Sequence, residues 1–189
     1  MDPNDLRARL SGALDPDPRP EPDPGDRLAG VLLPVLTAAE PSVLFTRRTD
    51  HLPRHAGEIS FPGGLQHPED GSLERTALRE TTEELGISPG TVEVLGALPP
   101  VHTTVSGILI VPFVGILPGR LRLTPSAGEI AEVLEYALGG LADAETEVEF
   151  PRGDTIYRGY AYEMPGHTIW GATARILHSM IEILQEGAR

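Results

Sequence analysis

The chain has 189 residues, 40% apolar and 23% charged, which suits one soluble domain with one substantial core and excludes a low-complexity chain. Its formal net charge of −13, from 28 acidic against 15 basic residues, argues against nucleic acid as a partner, since backbone binding needs clustered Lys and Arg. It has no cysteine, so a disulfide framework is excluded and any metal must be held by oxygen or imidazole; no run of about 18 apolar residues exists, so no membrane span is expected.

The first residues carry no apolar core of a secretory leader, and a cytoplasmic location is the expectation. Leu6, Leu10 and Leu14 lie at helical spacing in a short amphipathic stretch that either docks on the domain or stays mobile. Residues 15–26 read DPDPRPEPDPGD, in which proline alternates with charge and blocks a helix. Residues 1–27 are therefore read as an N-terminal segment with a Pro/Asp-rich linker, and 28–189 as the folded domain. The apolar AGVLLPVLT and the run SVLFTRR predict a hairpin, and GEISF a further short strand. Residues 72–85 predict a helix. TVEVLGAL alternates like a strand; SGILIVPFVGIL predicts a buried strand with Pro112 at an edge or bulge. Shorter strands are expected near 129–136, 146–150 and 156–162. Ala174, Leu177, Met180, Ile181 and Leu184 mark an amphipathic C-terminal helix. Strands with two main helices predict an α/β (α+β) fold, a mixed sheet sandwiched between helices. Nothing in the sequence indicates an oligomeric state.

The stretch from Gly63 to Ile87, GGLQHPEDGSLERTALRETTEELGI, carries the most chemistry. Asp70 or Ser72 can cap the helix, and Gly86 can end it in the left-handed conformation. Leu78, Thr81 and Leu85 share one face; Glu80, Glu83 and Glu84 share another. Like charges at this spacing disfavour a helix by roughly 0.2–0.5 kcal/mol per pair. A hard divalent cation removes that repulsion, and carboxylate oxygens so placed suit Mg²⁺, which keeps waters and completes its shell with substrate phosphates. Arg79 stands beside the cluster and can orient a carboxylate. A bare acidic triplet is more often a solvated helix face; the preceding Pro-Gly-Gly turn, the Arg and the following Gly set this one apart.

With those residues in place, the run Arg79-Glu80-Thr81-Thr82-Glu83-Glu84-Leu85-Gly86-Ile87 resembles the core of the Nudix box, Gly-x5-Glu-x7-Arg-Glu-U-x-Glu-Glu-x-Gly-U with U aliphatic. Two positions depart. Gly64 to Arg79 is one residue longer than the pattern, leaving Glu69 or Asp70 as the upstream acid, and Thr81 holds an aliphatic position. The resemblance implies that Glu80 and Glu84 bind Mg²⁺ (or Mn²⁺), with Glu83 a further ligand or proton acceptor. It implies that Arg79 positions the carboxylates and that the carbonyl of Gly64 or Gly63 completes the metal shell. It also implies a distant acidic ligand or base, for which Glu129 is the choice and Glu132 the rival.

Upstream, Leu44 to Gly64 reads LFTRRTDHLPRHAGEISFPGG. It is similar to the signature that precedes the box in coenzyme A diphosphatases, matching at Leu44, Thr46, Arg48, Gly57, Phe61, Pro62, Gly63 and Gly64. Phe45, Thr49 and Pro53 depart; Pro53 stands where a second Arg is expected, with Arg54 next to it. Arg47, Arg48, His51, Arg54 and His55 form a basic cluster in an acidic chain, and Arg47, Arg48, Arg54 and His55 are the candidate substrate-binding residues. The C-terminal IWGATARIL also looks like that subfamily; Trp170 is expected in the core, with stacking on adenine the alternative for it and for Tyr160. The implied substrate is a small molecule of the coenzyme A type, the implied reaction hydrolysis of its diphosphate. The alternatives are hydrolysis of another nucleoside diphosphate derivative, and a non-catalytic nucleotide-sensing module, whose mark would be lost glutamates.

Overall fold

The computed structural model describes residues 2–52, 55–103, 107–152 and 155–186, with backbone alone at 151, 152 and 155. Helix α1 (Pro3–Ala13) is capped by Asp2, whose carboxylate accepts the Asn4 N–H at 2.8 Å. Leu6 and Leu10 are fully buried in the main core. Asp15 and Ala97 then exchange backbone hydrogen bonds of 3.0 and 2.8 Å. Of the two outcomes open for this stretch, the structure has the docked one.

The central sheet is mixed. Strands β1 (Arg27–Thr37) and β2 (Ser42–Arg48) form the expected antiparallel hairpin, with Val35 opposite Val43. β3 (Ile59–Ser60) pairs antiparallel with the end of β2, and β4 (Gly63–Leu65) pairs with β1. After helix α2 (Leu73–Leu85) come β5 (Glu93–Ala97), β6 (Val101–Thr103), β7 (Ile108–Pro118) and β8 (Ile130–Ala137). β7 runs parallel to β1 from Arg27–Ile108 to Thr37–Pro118, β5 and β6 pair antiparallel with β7, and β8 pairs antiparallel with β2. A short helix α3 (Leu138–Asp143) leads to a separate three-stranded sheet, β9 (Glu145–Arg152), β10 (Thr155–Met164) and β11 (His167–Ile169), and the chain finishes with α4 (Gly171–Glu186).

Pro112 sits inside β7 rather than at an edge. β6 stops pairing at Ile110 and β5 starts at Phe113, so Pro112 falls in the gap between two antiparallel partners, where a missing N–H breaks no ladder. Pro34 lies in a like gap on β1, between the β4 partner of Val31 and the β2 partner of Val35.

The sheet is covered on both faces, as expected for the α+β class. On one face α2 packs Leu73, Ala77 and Leu85 against Leu32, Leu36, Leu44, Val111 and Phe113. On the other, Val35, Val43 and Phe45 meet α1 and the predicted stripe of α4, in which Ala174, Leu177, Met180, Ile181 and Leu184 are all buried. Each large apolar side chain so buried contributes about 1.5–3 kcal/mol. α2 comes unusually close to the sheet at Gly30, where a Cβ would lie 2.2 Å from the Leu73 carbonyl oxygen. That contact sets the height of the carboxylate helix above β1. The short α3, β6 and β11 have too few residues to show a periodicity, and the sequence does not announce them.

Candidate active site

α2 starts where Ser72 accepts the Arg75 N–H at 3.2 Å and ends at Gly86, φ 71°, in the left-handed conformation. Its helical spacing places the glutamates as required for a cluster, but not on one solvated face. Glu84 is 4% exposed and lies between α2 and the end of β2, whereas the Glu83 side chain is 59% exposed. Thr81 takes the aliphatic position of the box by donating its hydroxyl to the Ala77 carbonyl at 2.7 Å, which satisfies it in a fully buried place. Leu78, expected on the packed face, is half-buried.

Arg79 organises the cluster. Its Nε and Nη2 reach the two Asp70 oxygens at 2.8 and 3.1 Å, a bidentate pair. Nη1 reaches Glu80 at 2.9 Å and Glu83 at 3.2 Å, and Nη2 also donates to the Leu65 carbonyl at 3.3 Å. Asp70, in a single 3-10 turn (Pro68–Asp70), accepts in addition from the His67 N–H and the Thr76 hydroxyl. The Arg79 guanidinium and these donors hold its carboxyl well below the usual range. Of the two candidates for the upstream acid, Asp70 makes this contact, and Glu69 is exposed. The extra residue of the loop is taken up by that turn.

The Gly63-Gly64 turn faces the cluster. A Cβ on Gly64 would stand 2.4 Å from Glu80 Oε1, so the backbone meets that carboxylate as closely as glycine allows. Burial raises the Glu84 carboxyl from its ordinary 4.5 to about 8, against the pull of Arg48 and of the Gly63 N–H, with Glu80 and Glu129 adding repulsion. Glu84 Oε1 is 3.8 Å from Arg48 Nη1, while Glu84 Oε2 and Arg48 Nε are both buried without a hydrogen-bond partner. Two orphaned buried polar atoms on neighbouring side chains call for a ligand that supplies positive charge to one and an acceptor to the other. A divalent cation carrying phosphate oxygens meets both needs. Glu80 and Glu84, faced by the Gly63-Gly64 turn, are therefore the residues whose donor set fits such an ion.

Glu129 lies at the end of the loop that follows β7. Ser126 and Thr124 N–H groups donate to the Glu84 and Leu85 carbonyls at 2.9 Å, and Thr49 N–H donates to the Glu129 carbonyl at 2.9 Å. These bonds carry the exposed Glu129 close enough to bear on Glu84. Glu132 is turned elsewhere: it pairs with Arg47 at 3.5 Å and His167 at 3.4 Å.

The basic cluster is divided by strand alternation. Arg48 points to α2, whereas Arg47 points to the opposite face, where it also meets Asp50 at 3.2 Å. Arg47 is thus not brought to the carboxylates, because a strand sends neighbouring side chains to opposite faces. His55, with φ 56°, pairs with Glu58 at 2.7 Å and lines a cleft beside β3. Arg54, like Pro53, lies outside the described residues. Trp170 is not in the core: it is 50% exposed on that cleft. Tyr160 stacks on His178, ring centroids 3.6 Å apart. Sequence reasoning passed over Arg27 and Arg175, which line the same cleft.

Asp23, Asp26 and His102 form a separate surface group, each offering one ligand atom within 4.8 Å of the others, with His102 and Asp26 paired at 3.2 Å. The α2 glutamates are not gathered to that degree, since Arg79 draws on Glu80 and Glu83 and Arg48 on Glu84.

Residues 26–149 match the family profile of the NUDIX domain. The Nudix hydrolase NudL of Photorhabdus laumondii is 37% identical over 184 residues, covering 96% of this chain and 97% of that protein. Among solved structures, the MutT protein of Methanosarcina mazei aligns with a TM-score of 0.59 at 19% identity, over 91% of this chain and 100% of that one. The NUDIX domain of Shewanella oneidensis NrtR, complexed with ADP ribose, aligns with a TM-score of 0.55 at 18% identity, over 96% and 98%. At such identities the two structures speak for the fold. Fold, profile and relative together define a hydrolase acting on diphosphate linkages of nucleoside diphosphate derivatives, a class that uses divalent metal ions. The chain belongs to the Nudix hydrolase family.

Proposed function

We propose that this enzyme hydrolyses the diphosphate of coenzyme A and its derivatives, releasing 3′,5′-ADP and 4′-phosphopantetheine or its acyl form. The observation that carries the reading is the meeting of Arg48 with Glu84. Arg48 belongs to the segment similar to the coenzyme A signature, and its guanidinium stands at the most buried carboxylate of the box, with a quarter of the side chain exposed and Nε without a hydrogen-bond partner.

When bound, Mg²⁺ or Mn²⁺ supplies charge neutralisation of the phosphates and a lowered pKa for water. Glu80 and Glu84, with a carbonyl of the Gly63-Gly64 turn, would hold it. Arg79 keeps Glu80 in place through its bidentate anchor on Asp70. Water adds to one phosphorus, the bond from that phosphorus to the bridging oxygen breaks, and the leaving phosphate takes the bridging oxygen. Glu129, exposed and beside the cluster, accepts the water proton; Glu83, exposed and held by Arg79, is the rival base. Arg48 steadies the charge on the phosphates. The location that fits a coenzyme A substrate is the cytoplasm; among the described residues no helix is long and apolar enough to cross a membrane.

The test is chromatography of products after incubation with Mg²⁺ and coenzyme A, an acyl-coenzyme A, NADH, ADP-ribose and a nucleoside triphosphate. Release of 3′,5′-ADP from the coenzyme A compounds alone is expected. Cleavage of another panel member in their place overturns the substrate. ADP-ribose is the second reading, favoured by Pro53 where the signature has its second Arg and by the ADP ribose held in the NrtR domain.

A further inference from the structure

An open cleft of about 910 Å³ is bounded by β3, β6 and the start of α4. It lies within the size of nucleotide-type pockets, roughly 300–1,000 Å³. Its lining is unusual for this chain. Trp170, the single tryptophan, presents an indole that is 50% exposed. Arg27 and Arg175 are both exposed, and neither has a carboxylate partner among the described residues; Arg175 donates to the His102 carbonyl at 3.0 Å. The acids nearby are Glu58, which meets His55 at 2.7 Å, and Asp26, which meets His102 at 3.2 Å with Asp23 beside it; none of them pairs with Arg27 or Arg175. In a chain of net charge −13, two guanidiniums left to one cleft, next to an exposed indole, make a local site for a flat ring with an anionic group.

The walls are fixed. The buried Thr173 hydroxyl donates to the Ile59 carbonyl at 3.0 Å, tying α4 to β3, and β3 runs on into Phe61, Pro62 and the Gly63-Gly64 turn. Ser60 on the cleft is three residues from Gly63, a span of at most about 11 Å. That is the scale separating a ribose 3′-phosphate and its base from a 5′-diphosphate at the carboxylates.

Building on the coenzyme A reading, we infer that this cleft is the subsite for the adenosine 3′-phosphate half of the substrate, with Trp170 stacking the adenine and Arg27 and Arg175 holding the 3′-phosphate. The pantetheine arm has neither a flat ring nor a second phosphate and is directed away from it. Arg27 and Arg175 are then specificity-determining residues that select coenzyme A over 3′-dephospho-coenzyme A.

The single tryptophan lets the site be read without turnover. The intact protein is titrated with 3′,5′-ADP, 5′-AMP and 4′-phosphopantetheine while tryptophan fluorescence is followed. Both nucleotides are expected to quench, with 3′,5′-ADP binding roughly tenfold or more tighter than 5′-AMP, and phosphopantetheine to leave the signal unchanged. Arg175→Gln and Arg27→Gln are expected to bring 3′,5′-ADP down to the 5′-AMP level while leaving 5′-AMP binding as it was. In wild type the preference for 3′,5′-ADP is expected to fall as salt is raised. Absence of quenching by either nucleotide, quenching by phosphopantetheine instead, or a preference untouched by both substitutions and by salt overturns the subsite. Kinetics separate the two ideas. If wild type cleaves coenzyme A but the variants lose activity equally on coenzyme A and 3′-dephospho-coenzyme A, the subsite is overturned and the substrate stands. If wild type cleaves neither, the substrate reading itself falls, whatever the quenching shows.

Discussion

Glu84→Gln separates what the carboxylate does for the fold from what it does for the chemistry. In the folded protein burial first, then Glu80 and Glu129, lift the Glu84 carboxyl to about 8 from an ordinary 4.5, with Arg48 and the Gly63 N–H opposing. The sign follows from proton counting. Between pH 4.5 and 8 the unfolded chain gives up this proton while the folded chain keeps it, so stability falls as pH rises, and the loss is complete above about 8. At about 1.36 kcal/mol per pH unit the ceiling is about 5 kcal/mol. Gln leaves a buried amide and removes the partner of Arg48, so about 2 kcal/mol of net stabilisation is the expected gain for the metal-free variant at pH 8.5. For a chain of this length that is about 4–8 °C in Tm. At pH 5 almost all of the wild-type penalty is gone while the costs of Gln remain, so the gain should vanish and wild type should be the more stable. Thermal melts in chelator at both pH values read this directly. Added Mg²⁺ should stabilise wild type but not the variant, and turnover of the variant should fall at least about 100-fold. A variant less stable than wild type in chelator at pH 8.5, or a difference that does not change with pH, would refute the buried-carboxylate argument; near-normal turnover would refute the metal assignment. The same reasoning expects wild type to release about one proton on binding metal at pH 7, measurable by calorimetry in buffers of different ionisation heat.

Two alanine substitutions should part fold from function. Gly64→Ala drives a methyl into the Glu80 carboxylate, a movable group, so activity should drop by about tenfold or more with Tm nearly kept. Gly30→Ala drives one into the Leu73 backbone carbonyl, so it should cost about 1–3 kcal/mol and lower Tm by several degrees; the reverse pattern would contradict both assignments. Asp70→Asn should reduce kcat/KM by about 10–100-fold by freeing Arg79 and should also destabilise the protein. Because Arg79 depresses the Asp70 carboxyl, the stability deficit should be constant above about pH 5 and narrow as pH falls below 3.8; a deficit that persists unchanged at pH 2.5 would point away from the ion pair.

What was legible in the sequence was what repeats locally. The period of α4 named its buried face residue by residue, and the alternation and turn residues named the β1–β2 hairpin. The run from Arg79 to Ile87, with the Pro-Gly-Gly turn before it, named the carboxylate helix, because helix geometry alone brings residues three and four apart together. The rest depended on how elements pack. Helical spacing groups Glu80, Glu83 and Glu84, but only the approach of α2 to β2 buries Glu84 and leaves Glu83 in water. Asp70 was one of two acids until the 3-10 turn aimed it at Arg79. Arg47 and Arg48 look alike in the chain, and the register of β2 sends one to Glu132 and the other to Glu84. Arg27, Trp170 and Arg175 share a cleft only because β1 and α4 begin near each other beside β6. Local order follows from backbone periodicity, which a sequence carries openly; burial, facing and convergence follow from contacts between residues far apart in the chain, which only the folded structure assigns.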